Sequence, residues 1–435
     1  MTSSIHVALP SIQKELSADA VLLSWTVMSY ILSSSILLVP FGKLADIYGR
    51  KRLFFIGMAF FAFTTFLCGI ANSILMLIFM RILQGISASI RISTGSAMVV
   101  SAFPPEERGK ALGISAAATY AGMSSGPSIG GILTQYFGWR SVFLFAVPLT
   151  LATLFIGYFK LKGEWADAKN EHFDLRGSIF YVLGLALIFY GATCLPELYG
   201  IWIICFGLIS FGFFLFIGKR TENPVLETNI FVKNRVFLFS CIALCSSYIS
   251  IASAPFLLSL YLQYIKGFSA QTTGFILLGQ PLIQTLFSPI AGRLSDRIEP
   301  GIIASVGMSL TSISLIFLIF INYSTSVTYI LFMLFLIGIG YGLFSSPNSY
   351  AVMSAVEKRY YGVASGILAT MRTIGMSMSM TITTILFSLF IGRNEIGPVN
   401  YPELLTSVKI AFSIGAFFCI LGIFFSSSRG SVRLK

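Results

Sequence analysis

The chain has 435 residues, 56% of them hydrophobic and only 11% charged, with a formal net charge of +12. A soluble domain carries roughly a quarter charged residues, so the solvent for most of this chain is lipid. The six cysteines lie inside apolar stretches without metal-type spacing and the cations sit in short loops, which argues against a metal domain, a disulfide scaffold and a nucleic-acid partner.

Residues 1–10 are apolar but too short to cross a bilayer core of about 30 Å. They lead into a polar segment and read as the last third of a span whose beginning is missing, the alternative being a disordered N-terminus. Neither the basic head nor the cleavage site of a signal peptide is present. Apolar runs then recur at 22–41, 53–71, 75–100, 112–136, 142–159, 179–195, 201–217, 237–261, 274–290, 302–321, 329–347, 363–391 and 410–425. That predicts 13 full helical spans, or 14 with the first restored. No run alternates in the manner of a barrel strand.

Of the 29 Lys and Arg, 21 fall in one set of alternate loops, five in the other and three (Arg81, Arg91 and Arg372) within spans. The cation-rich loops belong in the cytoplasm, which predicts a multi-pass protein of the plasma membrane with a cytoplasmic C-terminus.

Gly42-Lys-Leu-Ala-Asp46 leaves one span, and Gly292-Arg-Leu-Ser-Asp296 leaves another 250 residues later. Gly109, Gly113, Ile114, Gly122, Met123 and Ser124 recur as Gly362, Gly366, Ile367, Gly375, Met376 and Ser377, at an offset of 253. The predicted fold is therefore an all-α membrane protein of two six-helix bundles related by a parallel repeat, at 1–160 and 235–435. Residues 161–234 would hold two inserted helices with cytoplasmic linkers. Repeats of this kind place a solute site near the midplane between bundles that rock.

Gly42-Lys-Leu-Ala-Asp46-Ile-Tyr-Gly49-Arg50-Lys51-Arg52 resembles the signature loop of the major facilitator superfamily, with Ile47 where that family often has a basic residue. Gly42 and Gly49 suit a tight turn and close helix approach, while Asp46 suits a helix cap or a cation latch. Arg81-Ile-Leu-Gln84-Gly85 resembles the superfamily's arginine motif. Arg81 lies about 12 Å into its span, where a cation is costly and is either functional or bonded to helix carbonyls. Arg91, about 15 Å further along, is either a site residue or a cation snorkelling to the interface.

Gly122-Met-Ser-Ser-Gly126-Pro127-Ser-Ile-Gly130-Gly131 is similar to the motif that marks exporters of the antiport type, the alternative being a bare packing face. Thr2-Ser-Ser-Ile-His6-Val-Ala-Leu-Pro10, Trp139-Arg140 and Arg372-Thr-Ile-Gly375 resemble the fourteen-span drug and proton antiporter family. The resemblance implies secondary transport of a small molecule, with protons as the coupling partner, no cofactor, no metal and a monomeric state. Tyr120, Met123, Tyr261, Gln263, Gln280 and Met371 would add contacts to a central cavity.

All 17 acidic residues lie in loops or at span ends, whereas a proton antiporter needs a protonatable group within the membrane. Three readings stay open: an acid in a missing part of the first span, His6 in its place, or coupling without protons. The arginines favour an anionic or neutral amphipath. The spans contain no catalytic set such as His-Glu-x-x-His or paired aspartates, which argues against an intramembrane enzyme.

Overall fold

A computed structural model describes residues 2–103, 108–161, 163–166, 168–169, 171–225, 234–295, 297–356 and 361–430. Among the described residues every regular element is helical. Hydrocarbon demands this, because a helix satisfies its own backbone groups and an open strand edge does not. In chain order the helices are α1 (Thr2–Leu16), α2 (Ala20–Tyr48), α3 (Arg50–Gly69), α4 (Ile74–Ala102), α5 (Arg108–Phe137), α6 (Arg140–Leu144), α7 (Ala146–Lys160), α8 (Leu175–Thr193) and α9 (Leu198–Gly218). They continue as α10 (Arg235–Ile251), α11 (Ala254–Leu260), α12 (Ala270–Leu277), α13 (Gly279–Ser295), α14 (Pro300–Leu318), α15 (Val327–Ser354), α16 (Tyr361–Phe390) and α17 (Tyr401–Ser428). A π-helical turn, Tyr261–Ile265, follows α11.

Twelve helical segments among the described residues are long and apolar enough to cross a membrane. The run predicted as a span at 112–136 falls in α5, a continuous helix of 30 residues that is not among those twelve because its Gly, Ala and Ser content leaves it less apolar. Side-chain caps start several helices: Ser73 accepts from the Met76 N–H at 3.2 Å, Asn234 from Phe237 at 3.1 Å and Ser269 from Thr272 at 3.1 Å.

Two features differ from the sequence reading. The span predicted at 22–41 continues as helix to Tyr48, so Gly42 and Asp46 ride on the last turns of α2 and not in a loop. The backbone turns only at Gly49, where φ is +109°, a value that favours glycine. Three predicted spans are also interrupted, with α6, α10 and α12 ending at Leu144, Ile251 and Leu277. A proline stands four residues beyond each of these ends (Pro148, Pro255 and Pro281), where it cannot donate to that carbonyl and its ring crowds it.

The repeat seen in two motifs extends to helix positions. Both α5 and α16 have 30 residues; Arg108 and Tyr361 open them and Phe137 and Phe390 close them, an offset of 253 at each end. Arg50 and Pro300 open α3 and α14 at an offset of 250, and Ile74 and Val327 open α4 and α15 at 253.

By contact the chain forms two compact units. The first comprises Met1–Leu23, Ala116–Val142 and Asn229–Lys435, and the second Ser24–Ser115 and Phe143–Thr228. Within the first, α14 and α15 cross backbone to backbone. A Cβ on Gly307 would lie 2.4 Å from the Gly340 carbonyl oxygen, and one on Gly340 would lie 2.5 Å from that of Gly307. Within the second, Gly191 of α8 and Gly200 of α9 stand in the same relation, at 2.8 Å each way. Small residues at crossings let helices gain dispersion contact where lipid supplies no hydrophobic drive.

Gly340→Val is therefore expected to destabilise the protein by about 1–3 kcal/mol through overpacking. Gly212→Ala, where an added Cβ meets nothing within 4 Å, should be neutral or stabilising by about 0.5–1 kcal/mol. Thermal unfolding of the two variants in detergent checks this, and matching melting temperatures would refute it.

Candidate functional site

In the second unit, the end of α2, the start of α3 and the segment after α7 converge. Asp46 accepts from the Arg50 guanidinium, Nε to Oδ1, at 2.8 Å, and Arg50 Nη1 reaches Ser101 Oγ on α4 at 2.6 Å. The charge pairing therefore reaches four residues along, past Ile47. The α3 N-terminus is capped not by Asp46 but by Glu164, whose carboxylate accepts from the Lys51 N–H at 2.8 Å and the Arg52 N–H at 3.0 Å. A carboxylate there satisfies orphan donors and complements the helix dipole. The same segment accepts from the Arg50 N–H through the Trp165 carbonyl at 2.8 Å, and donates from the Ala168 N–H to the Asp46 carbonyl at 3.0 Å. Lys43 pairs with Glu171. A Cβ on Gly49 would sit 2.6 Å from Glu164 Cδ, so that position needs glycine for clearance as well as for its dihedral angle.

Higher in the same unit, Arg81 is 1% exposed. Its Nε donates to the Thr26 carbonyl on α2 at 3.0 Å and its Nη1 to Gln84 Oε1 at 2.6 Å, while Gln84 Nε2 donates to Thr65 Oγ1 on α3 at 2.6 Å. The guanidinium also lies 4.3 Å from the Tyr30 ring centre. Gly85 makes this possible: a Cβ there would fall 2.5 Å from the Tyr30 carbonyl oxygen. Arg81 and Gln84 thus join α2, α3 and α4. Arg91, half-buried, lies 5.3 Å from the Phe61 ring centre.

In the first unit, the small-residue face of α5 is used on two sides. A Cβ on Gly126 would approach Ser3 Oγ to 2.0 Å, and one on Gly130 would approach the Ser4 carbonyl oxygen of α1 to 2.7 Å. On the other side, a Cβ on Gly131 would lie 2.6 Å from the Ala270 carbonyl oxygen, and one on Gly274 of α12 would lie 2.3 Å from that of Pro127. Gly122 faces open space.

His6 is buried, with its ring edge-on to Phe256 at 6.2 Å between centroids. Ser259 Oγ donates to the His6 carbonyl at 2.7 Å and Gln263 Nε2 to that of Val7 at 3.1 Å, so Gln263 anchors α1. Tyr261 is fully buried and its hydroxyl donates to the Asn322 carbonyl at 2.7 Å. Met123 is exposed, Gln280 and Met371 are half-buried, and Tyr120 lies on α5. Arg372, exposed on α16, lies 5.6 Å from the Tyr248 ring centre. Gly292 is helical within α13, and Asp296 lies outside the described residues.

Sequence reasoning did not single out Glu164, Glu171, Glu15 or Arg429. Glu15, at the end of α1, accepts from Trp139 Nε1 at 2.8 Å and pairs with Arg140, whose guanidinium stacks 4.4 Å from the Trp139 ring centre. The Arg140 hydrogen bond holds the Glu15 carboxyl below the usual carboxylate range. Arg429, just past α17, is one of the 21 cations of the cation-rich loops by sequence position, yet it is 1% exposed. Neither residue belongs to a recognisable motif. Among the described residues no group of three His, Cys, Asp or Glu could hold a metal ion.

A family model described as Major Facilitator Superfamily matches residues 1–380. Riboflavin transporter RibZ of Clostridioides difficile (strain 630) is 30% identical over 424 residues, covering 97% of this chain and 92% of that relative. Multidrug resistance protein Stp of Mycobacterium tuberculosis (strain CDC 1551 / Oshkosh) is 28% identical, covering 87% of this chain and 71% of that protein. Among solved structures, a bacterial homologue of the human lysosomal transporter Spinster superposes with a TM-score of 0.66 at 14% identity, covering 98% of this chain and 93% of that one. At that identity the likeness is one of fold.

Two outcomes are expected from this geometry. Gln84→Leu leaves Arg81 buried with a lost acceptor and should cost about 1–3 kcal/mol or more, whereas Arg81→Met removes the charge itself and should cost less. The reverse order in thermal unfolding would contradict the three-helix junction. Glu15→Gln should lower the melting temperature near neutral pH by the equivalent of less than about 1 kcal/mol, because the ion pair is solvent-exposed. A depressed folded-state value means that this contribution is complete above the unfolded value of about 4.3 and is lost as pH falls through the folded one. The gap between wild type and variant should therefore close in acid, and a gap that widens there would refute the assignment.

Proposed function

Because the chain belongs to the major facilitator superfamily, we propose that it is a secondary transporter exporting amphipathic small molecules in exchange for protons. The observation that carries this reading is the α5 face. Gly126 and Gly130 seat on α1 and Pro127 and Gly131 on α12 at distances that leave no room for a side chain. Such a seam excludes water, and an exchanger that leaked protons there would dissipate its own driving force. The glycine spacing, its likeness to the antiporter motif and a relative named as a multidrug resistance protein support the same reading.

In this reading the chain is a monomeric member of the fourteen-span drug and proton antiporter family in the plasma membrane, with a cytoplasmic C-terminus. Its bundles at 1–160 and 235–435 alternate access, and α8 and α9 are the inserted pair. His6 carries the proton in this reading, imidazole being a side chain suited to proton exchange near neutral pH. The Asp46–Arg50 pair and the Glu164 cap hold the α2–α3 junction during the cycle. A second reading, uncoupled transport of a neutral or anionic metabolite, draws on the placement of all 17 acids in loops or at span ends and on the relative named as a riboflavin transporter.

Purified protein in liposomes, with ethidium and riboflavin as probes, tests both. Saturable ethidium flux should appear only under an imposed pH gradient and should be lost in His6→Ala. Riboflavin flux indifferent to the gradient would establish the second reading instead. An ohmic current without saturable flux of either probe would overturn both.

A further inference from the structure

Arg429 closes a buried polar knot at one end of the first unit. Its Nη1 donates to Ser240 Oγ on α10 at 3.1 Å and to Asn348 Oδ1 on α15 at 2.9 Å, and Asn348 Nδ2 donates to the Ser240 carbonyl at 3.1 Å. Ser240 and Asn348 are fully buried. Ser426 Oγ of α17 donates to the Gly301 carbonyl in the first turn of α14 at 3.3 Å. Four helix ends meet around one guanidinium.

That guanidinium is only partly used. Its Nε and Nη2 are buried and donate to no described residue. They lie 3.3 and 3.6 Å from where a Gly301 Cβ would sit, so only glycine leaves them this approach to α14. These two nitrogens form the side-on fork with which arginine grips a carboxylate through two parallel bonds. An acid whose charge acts on this guanidinium is Glu299, two residues before Gly301. It is half-buried and flanks the α14 N-terminus without a side-chain cap bond; burial works against the Arg429 charge and lowers its pKa, and the Glu299 charge partly offsets this.

The second unit offers a parallel. There Glu164, four residues beyond α7, returns to the first turn of α3, the helix that matches α14 at an offset of 250. In each half of the repeat, a charged residue just past the last helix returns to the start of the helix that follows the signature motif.

We propose that Arg429 is a positioning residue for transport, a pin with two settings. In this structure it holds its helices through Ser240 and Asn348, and in the other setting its free fork also grips Glu299 and draws in the first turn of α14. The proposal rests on the transporter reading for its role in the cycle, but the pairing itself is testable without a substrate.

A double-mutant cycle of Arg429→Met, Glu299→Gln and their combination, read by thermal unfolding and by hydrogen exchange at the start of α14, should be non-additive. Each single substitution should speed exchange there, and the second should add little to the first. Additive effects would overturn the pin. Arg429→Met replaces a buried charge with an apolar chain and should fold; if it does not, Arg429→Lys, which keeps the charge but lacks the fork, takes its place in the cycle. In liposomes, Arg429→Met should lower turnover of the transported probe, ethidium or riboflavin, by about tenfold with little change in half-saturation, and Arg429→Lys should restore part of it. Unchanged turnover per folded protein would also overturn the proposal. If wild-type protein moves neither probe, the transporter reading fails and the double-mutant cycle alone decides whether the pairing exists.

Discussion

Helices in hydrocarbon cannot be pressed together by expelling water, so they stay together only where their backbones come close enough for many weak contacts and a few good hydrogen bonds. In this chain glycine sets that closeness. Gly85 brings α4 against α2, and only then can Arg81, one helical turn away, reach the Thr26 carbonyl. Gly301 does the same for Arg429, and Gly130 for α1. The polar features of the molecule therefore depend on residues with no side chain at all.

Polar groups are buried by two strategies. Hydroxyls are cheap to bury, because Ser33, Thr64, Thr94, Thr383 and others return their proton to a carbonyl of their own helix. Guanidinium groups need partners from other helices: Arg81 donates to Thr26 of α2 and to Gln84, which carries the link on to Thr65 of α3, and Arg429 donates to Ser240 of α10 and Asn348 of α15. Carboxylates stay at helix ends, where backbone N–H groups or a neighbouring cation receive them. Glu164 and Glu15 show the two forms of that arrangement.

Helix positions were legible because apolar length is a direct consequence of bilayer thickness, and the repeat was legible because two short motifs kept their spacing. Arg81 announced itself by being costly where it stands, and Gln84 by the motif that the two share. The interruptions at Leu144, Ile251 and Leu277 were legible in principle from Pro148, Pro255 and Pro281, yet hydropathy alone smooths over a single missing hydrogen bond. The extension of α2 through Asp46 was hidden because its last turns are polar, and polarity was read as loop. Glu164 and Arg429 could not be found by pattern: both act through backbone groups or distant helices, and a cation near the C-terminus looks like any other loop cation until the chain is folded.

The α8–α9 hairpin differs from its neighbours in where its adhesion lies. Four of its glycines, Gly184, Gly191, Gly200 and Gly207, face one another across the pair, Ser210 bonds back to the Phe180 carbonyl, and much of the outer surface of α9 is bare aromatic and aliphatic side chain. The pair is a self-fastening cassette, zipped internally and greased on the outside. A pair fastened in this way keeps its hairpin shape through its own backbone contacts and leaves its apolar skin to the lipid.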